Sequence, residues 1–298
     1  MPEAYTHTRI GTMAAQAVGF PVSSADGFAV GCQGPDILFC YQILRKKENR
    51  KPDLPSLGNR MHLERTGVFL RSLLKNAKTD FQRSYAAGFL CHYAVDCQLH
   101  PYVYAVTKPD QLYGMEGGHG YFEIAVDSEL HRTDFGDGVI PLSHSCPKLK
   151  ADELAELAAL FSRCTNEVYG TDIQPMEVAE AYHATRFFRS MFTSRWRIKW
   201  VLFWLVERLV LRSVGFVTSH VSPATLKKEL PARWTHPTTQ QSMQGDIHQL
   251  IQQAQQRAQA LLEGYTAWQN GEMPFEKLTA LIGNISYDSG VACAEETE

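Results

Sequence analysis

The chain has 298 residues, a hydrophobic content of 44%, a charged content of 20% and a formal net charge of −3. These values fit an ordinary globular protein with room for a large core, and the lack of a basic excess argues against bulk nucleic-acid binding. Seven cysteines without a CxxC pair read as free thiols. With no basic leader and apolar run after Met1, the expected location is the cytoplasm.

Helical periodicity dominates and no stretch alternates as a strand should, so one all-α domain is expected. Residues 10–20 read as a first helix, closed by Gly19 and Pro21. A GCQGPD loop and the apolar run ILFCYQIL follow. The polar stretch KKENRKPDLPSLGN, with Pro52 and Pro55, reads as a surface loop. A helix is expected over about 58–77 and another over about 80–100, stopped ahead of Pro101. Gly114, Gly117 and Gly118 mark a loop before the helix that carries His119. The turn-rich stretch 132–150 divides a ligand-bearing half, 1–131, from supporting helices over 151–283. It is too short and apolar for a flexible linker, so 1–283 reads as a single multi-helix domain. In the second half, 151–169 and 175–192 read as amphipathic helices, 195–218 is the most apolar stretch, and helices are expected near 244–268 and 274–283. Residues 284–298 read as a frayed tail.

The chemistry lies in two ladders. His92, Asp96 and His100 recur at intervals of four, and so do His119, Glu123 and Asp127. On an α-helix such residues share one face, with a drift of about 40° per step because a turn holds 3.6 residues. His100 therefore stays near the face of His92, Asp127 is marginal, and His131 has rotated away from His119. Imidazole and carboxylate together suit zinc, and His7, Asp36 and His62 upstream extend the set toward a polynuclear site. Singly, each item has a plainer explanation: a solvated helix pair for His92 and Asp96, a satisfied histidine for His62, a helix cap for Asp36. Two chelating pairs close together, beside Phe89, Leu90, Ala94 and Val95, favour metal, because burying several ionisable groups is costly unless something neutralises them.

THT at 6–8, GCQGPD at 31–36, GNRMH at 58–62, HYAVDCQLHP at 92–101 and HGYFE at 119–123 together resemble the zinc-dependent phospholipase C family. The resemblance covers about the first 130 residues, with a weaker echo in WTHP at 234–237. It implies an all-α fold of the phospholipase C and single-strand nuclease type, and a trinuclear zinc centre. Carried over by position, Asp36, His62, His92 and Asp96 would hold one zinc, and His100, His119 and Glu123 a second. His7 and Asp96 would contribute to a third, with Asp96 bridging. Secreted members complete that third site with the amino group of a processed N-terminal residue. Here only Met1-Pro2 and a few further residues precede His7, so two or three ions are expected. Asp127 has no part in the family pattern and is left to support the ligands.

The expected function is hydrolysis of a phosphoric ester. Zinc lowers the pKa of a bound water from 15.7 to about 7, which supplies hydroxide at neutral pH, and Asp36 is the candidate to position or deprotonate the attacking water. The substrate expected is a phosphodiester, with a phospholipid headgroup among the options. A nuclease or phosphatase on the same scaffold and a non-catalytic metal-binding protein are the alternatives. A basic, aromatic-studded groove for nucleic acid is lacking, and the glycines of LYGMEGGHG beside His119 suit an open pocket. Tryptophans and basic residues in 195–218 suit a peripheral membrane contact, although burial beneath the ligand helices is slightly favoured.

Overall fold

The computed structural model describes residues 4–211, 215 and 217–293. The chain is all-α, with eleven α-helices among the described residues and one two-stranded ribbon. In order these are α1 (Ala4–Ala17), α2 (Ala25–Gly31), a 3-10 turn at Gly34–Leu38, α3 (Leu54–Leu63), α4 (Thr66–Asn76), α5 (Asp80–Val106) and α6 (Gly118–Phe135). Then come α7 (Ala151–Tyr169), α8 (Pro175–Phe192), α9 (Ile198–Val206), a π-helical turn at Glu207–Leu211, strands β1 (Arg233–Thr235) and β2 (Ser242–Gln244), α10 (Ile247–Gln269) and α11 (Phe275–Ile282). The strands are antiparallel, with Trp234 opposite Met243. Three residues each are too few for alternation to register in the sequence.

Helix α5 is the axis around which α1, α2, α4, α6, α7 and α10 pack. Thr79 and Gln82 start it with a reciprocal capping box, and it is buried nearly all round, as expected for a helix apolar on every side. Its crossing with α2 depends on glycine. A Cβ on Gly31 would lie 2.1 Å from the Tyr85 carbonyl oxygen, and one on Gly88 would lie 2.1 Å from the Phe28 carbonyl oxygen. The two backbones therefore touch, which brings the 3-10 turn carrying Asp36 up to His92.

The structure corrects several boundaries. Helix α1 begins at Ala4 rather than near residue 10, because its first amides are satisfied by a distant carboxylate, Asp127 on α6. The stretch 58–77 is two helices, broken where Arg65 takes a left-handed conformation. Helix α3 starts inside the supposed loop, since Pro55 is tolerated in a first turn and Asp53 caps the amide of Ser56. Helix α5 continues through Pro101 to Val106. Gly290 lies against the Cys97 carbonyl and the Pro101 ring, so tertiary packing holds a segment that local preference would end.

Two larger revisions concern the C-terminal half. Residues 284–293 are not a frayed tail: Asn284 accepts a hydrogen bond from the amide of Gly67, Tyr287 is fully buried, and Ile285 bridges to Ala292. Residues 294–298 lie outside the described residues. Among its described residues, the apolar stretch 195–218 does not pack its aliphatic side beneath the ligand helices. None of the residues of α9 is buried, and Arg212 and Phe216 lie outside the described residues.

Candidate metal centre

Helix α5 presents His92, Asp96 and His100 on one face, and Asp96 is the hub. One of its carboxylate oxygens lies 3.1 Å from Nε2 of His7 on α1 and 3.6 Å from Nε2 of His100. The other lies 2.8 Å from Nε2 of His92 and 3.7 Å from Nε2 of His62 on α3. Asp36 meets His62 from the 3-10 turn at 3.2 Å, so its carboxylate turns to an imidazole and caps no helix. Across the centre, Glu123 on α6 lies 2.7 Å from Nε2 of His119 and 3.5 Å from Nε2 of His100.

Three groups of donors result, the first two sharing His92: His7, His92 and Asp96; Asp36, His62 and His92; and His100, His119 and Glu123. Within each, one ligand atom per residue lies within 4.8 Å of the others. The orientation of two rings is set by the backbone. Nδ1 of His62 is hydrogen-bonded to the Gly58 carbonyl at 2.8 Å, and Nδ1 of His92 to the Cys32 carbonyl at 3.2 Å. A carbonyl takes only a donated proton, so Nδ1 is protonated in both and Nε2 is the nitrogen turned to the centre, where it meets the carboxylates as a proton donor or, once that proton is lost, offers its lone pair to a metal. That is the arrangement in which histidine ligates metal. Gly34 is part of the same construction. It has φ +51°, and a Cβ there would fall 2.1 Å from Cδ2 of His92.

The electrostatics point the same way. Burial pushes the carboxylates up, but neighbouring imidazoles outweigh it. Asp36 is brought down to about 2 by its hydrogen bond to His62 and the charges of His92 and His62. Asp96 is held well below the usual range by His100, His92 and His7, and Glu123 by His119 and His100. Burial pushes His62 and His100 down, yet the acids facing them raise both; His92, the most deeply enclosed, is lowered. Three ionised carboxylates and five imidazoles in one buried space fit divalent cations well. Protons alone neutralise such a set only in part, and each unpaired charge in an apolar surround is costly.

Asp127 takes a different place. Its carboxylate accepts hydrogen bonds from the Thr6 amide at 2.8 Å, the Thr6 hydroxyl at 2.6 Å and the Tyr5 amide at 3.0 Å. It anchors the first turn of α1, where an acid is favoured by the exposed amides, and so sets the height of His7. Burial nonetheless pushes its carboxyl up to about 6.

The centre opens into a pocket of about 460 Å³ lined by Asp36, His62, His100, His119 and Glu123, and also by Tyr104, His220 and Asp288. The last three were not expected from the sequence. Tyr104 continues the α5 ladder by one more interval of four, a signal that was legible. Its ring centroid lies 4.9 Å from that of His119. Asp288, 3.5 Å from Nδ1 of His100, comes from the segment read as tail. His220 follows α9 in a 3-10 turn, and only tertiary structure brings it here. His131 lies off the centre, 3.0 Å from His144. In the WTHP segment, Nδ1 of His236 accepts from the amides of Thr238 and Thr239.

An all-α body with imidazoles and carboxylates gathered in three neighbouring groups has the donor set of a metal-binding protein. A family model described as zinc dependent phospholipase C matches residues 6–164, more than half of the chain. The chain belongs to the zinc-dependent phospholipase C family. Neither a curated protein nor a solved structure matches it.

Proposed function

We propose that the chain is a zinc-dependent phosphodiester hydrolase whose substrate class is the phospholipids. The observation that carries this reading is the convergence of His7, Asp36, His62, His92, Asp96, His100, His119 and Glu123 beside one open pocket. In this reading the three donor groups hold two or three ions, with His7, His92 and Asp96 forming the third group. Met1 and Pro2, candidates for a further nitrogen, lie outside the described residues. Bound zinc supplies Lewis acidity toward phosphoryl oxygens and brings the pKa of a water near 7.

The chain's own residues supply position and charge. His62 and His92, braced through Nδ1, hold fixed directions, so little reorganisation is needed at the moment of reaction. Asp36 is ionised at neutral pH and stands at the pocket wall, where it accepts a hydrogen bond from the attacking water and orients it. Tyr104 and Asp288 stand at the same wall and offer a hydroxyl and a carboxylate to the substrate side. The pocket volume falls in the range of small-molecule sites, which suits a headgroup and phosphate.

Asp36→Asn tests the reaction. With metal content per chain measured alongside, hydrolysis of a chromogenic phosphodiester is expected to fall by about a hundredfold or more, the loss typical of a positioned proton-transfer group. Unchanged turnover with metal retained would remove Asp36 from this role.

A further inference from the structure

The segment from Arg195 to Leu211 inverts the usual pattern of a surface helix. Trp200, Phe203, Trp204 and Glu207, at helical spacing, form its half-buried or buried side. Its outer stripe is aliphatic: Ile198, Val201, Leu202, Leu205 and Val206 are all exposed, and Leu209 and Val210 extend it at 74% and 71% exposure. Trp196 stands free at the start, 79% exposed. A continuous apolar face of this kind on a soluble body marks a contact surface. No helix among the described residues is long and apolar enough to cross a membrane.

Charge says what covers it. Arg195, Lys199 and Arg208 are exposed beside the stripe, while Arg197 is half-buried with its guanidinium on the Pro223 carbonyl; the chain as a whole carries −3. The single acid in the segment, Glu207, is turned inward. Its carboxylate accepts hydrogen bonds from the amides of Gly215, Val217 and Thr218 and from the Thr218 hydroxyl. The outward charge is therefore entirely positive. The exposed Arg208 lies 5.3 Å from the Trp204 ring, and Trp196 is exposed beside Arg195, placements that suit a headgroup layer, where tryptophan and arginine both favour the boundary. A second copy of the chain fits worse, because a two-fold contact would bring this basic patch against itself.

We propose that residues 195–210 dock on an anionic phospholipid surface, with the aliphatic stripe entering the headgroup–acyl boundary and the exposed Arg195, Lys199 and Arg208 meeting the headgroups. The inference rests on the phospholipid reading above and adds the physical form in which substrate is met. The element is also tied to the pocket. The loop held by Glu207 leads into the turn Thr218–His220, and His220 lines the pocket. Phe192 bridges the two, its ring 6.2 Å from Phe203 and 5.9 Å from His220.

The test uses the full zinc-loaded chain with vesicles of phosphatidylcholine alone and of phosphatidylcholine mixed with phosphatidylglycerol. Wild type is expected to sediment with the anionic vesicles, with a blue shift of tryptophan emission, and far less with the neutral ones. Leu202→Gln with Leu205→Gln should lower the partition coefficient about tenfold or more. Arg195→Glu with Lys199→Glu should lower it about 25-fold or more on anionic vesicles, since each basic residue near such a surface contributes about fivefold. Circular dichroism should match wild type for both, because all four side chains are exposed. Failure of wild type to bind anionic vesicles, or wild-type binding by both variants, overturns the proposal. So does a wild-type dimer that the leucine variant dissociates without loss of vesicle binding, which would make a second copy the occupant. Hydrolysis of a water-soluble chromogenic phosphodiester should be equal in all three proteins. Its absence from wild type would strike the hydrolase reading and leave the vesicle result standing.

Discussion

The two ladders share a spacing and end differently. On α5 all three rungs, His92, Asp96 and His100, face the centre. On α6 His119 and Glu123 do so, while Asp127 turns to the first turn of α1. The drift of about 40° per step explains part of this, since the third rung of either helix has rotated by about 80°. What rescues His100 is position: it faces both Asp96 and Glu123, because α5 lies between the groups that the other helices bring. Asp127 lies on the flank of the array and meets exposed amides there. An identical periodicity therefore yields three inward donors on the central helix, and two plus a brace on the peripheral one.

The contrast can be broken most severely at Asp96. Asp96→Asn removes charge from the hub that faces four imidazoles, so zinc per chain should fall and phosphodiester turnover should drop about a thousandfold. That corresponds to several kcal/mol of lost charge stabilisation. Retained stoichiometry and near-normal turnover would show that Asp96 does not join the groups. Asp127→Asn sharpens the comparison from the other ladder. It should leave the other two donor groups loaded and weaken metal affinity at the His7 group by about 10- to 100-fold, the usual effect of removing a supporting contact. Equilibrium competition with a chelator reads this directly, and an equal loss from all groups would argue against a bracing role.

The smallest effect is in the pH dependence of stability. Burial raises the Asp127 carboxyl from 3.8 to about 6 in the folded state. The folded chain then binds a proton that the unfolded chain has released. The contribution is fully present below 3.8 and is lost as pH rises through about 6, a change on the order of 3 kcal/mol at about 1.4 kcal/mol per unit. Denaturant unfolding of wild type and Asp127→Asn across that window should differ in slope, wild type falling more steeply as pH rises. Parallel curves would place the Asp127 pKa at its ordinary value.

Much of the centre was legible along the chain, because the donors of α5 and α6 sit at a spacing that needs only local helix geometry. Tyr104 could have been read the same way, as the next rung after His100. His220 and Asp288 could not. One follows an apolar segment and the other lies in a short, polar stretch without periodicity, so nothing local distinguishes either from a loop residue. The apolar segment itself was readable as interfacial or buried, with burial slightly favoured, and the described residues leave its stripe exposed. Hydropathy reports what a side chain avoids, and not whether the fold has room to cover it.

Periodicity and residue type thus determined that the chain is helical, that His92, Asp96 and His100 share a face, and that His119 and Glu123 share another. Tertiary structure decided that these faces meet, that Asp127 braces α1, that α5 runs past Pro101, and that the stripe of α9 stays outside. The division follows from range: the 3.6-residue turn correlates neighbours a few positions apart, whereas the direction a face points depends on close approaches such as Gly31 to Gly88, set by residues far away in the chain.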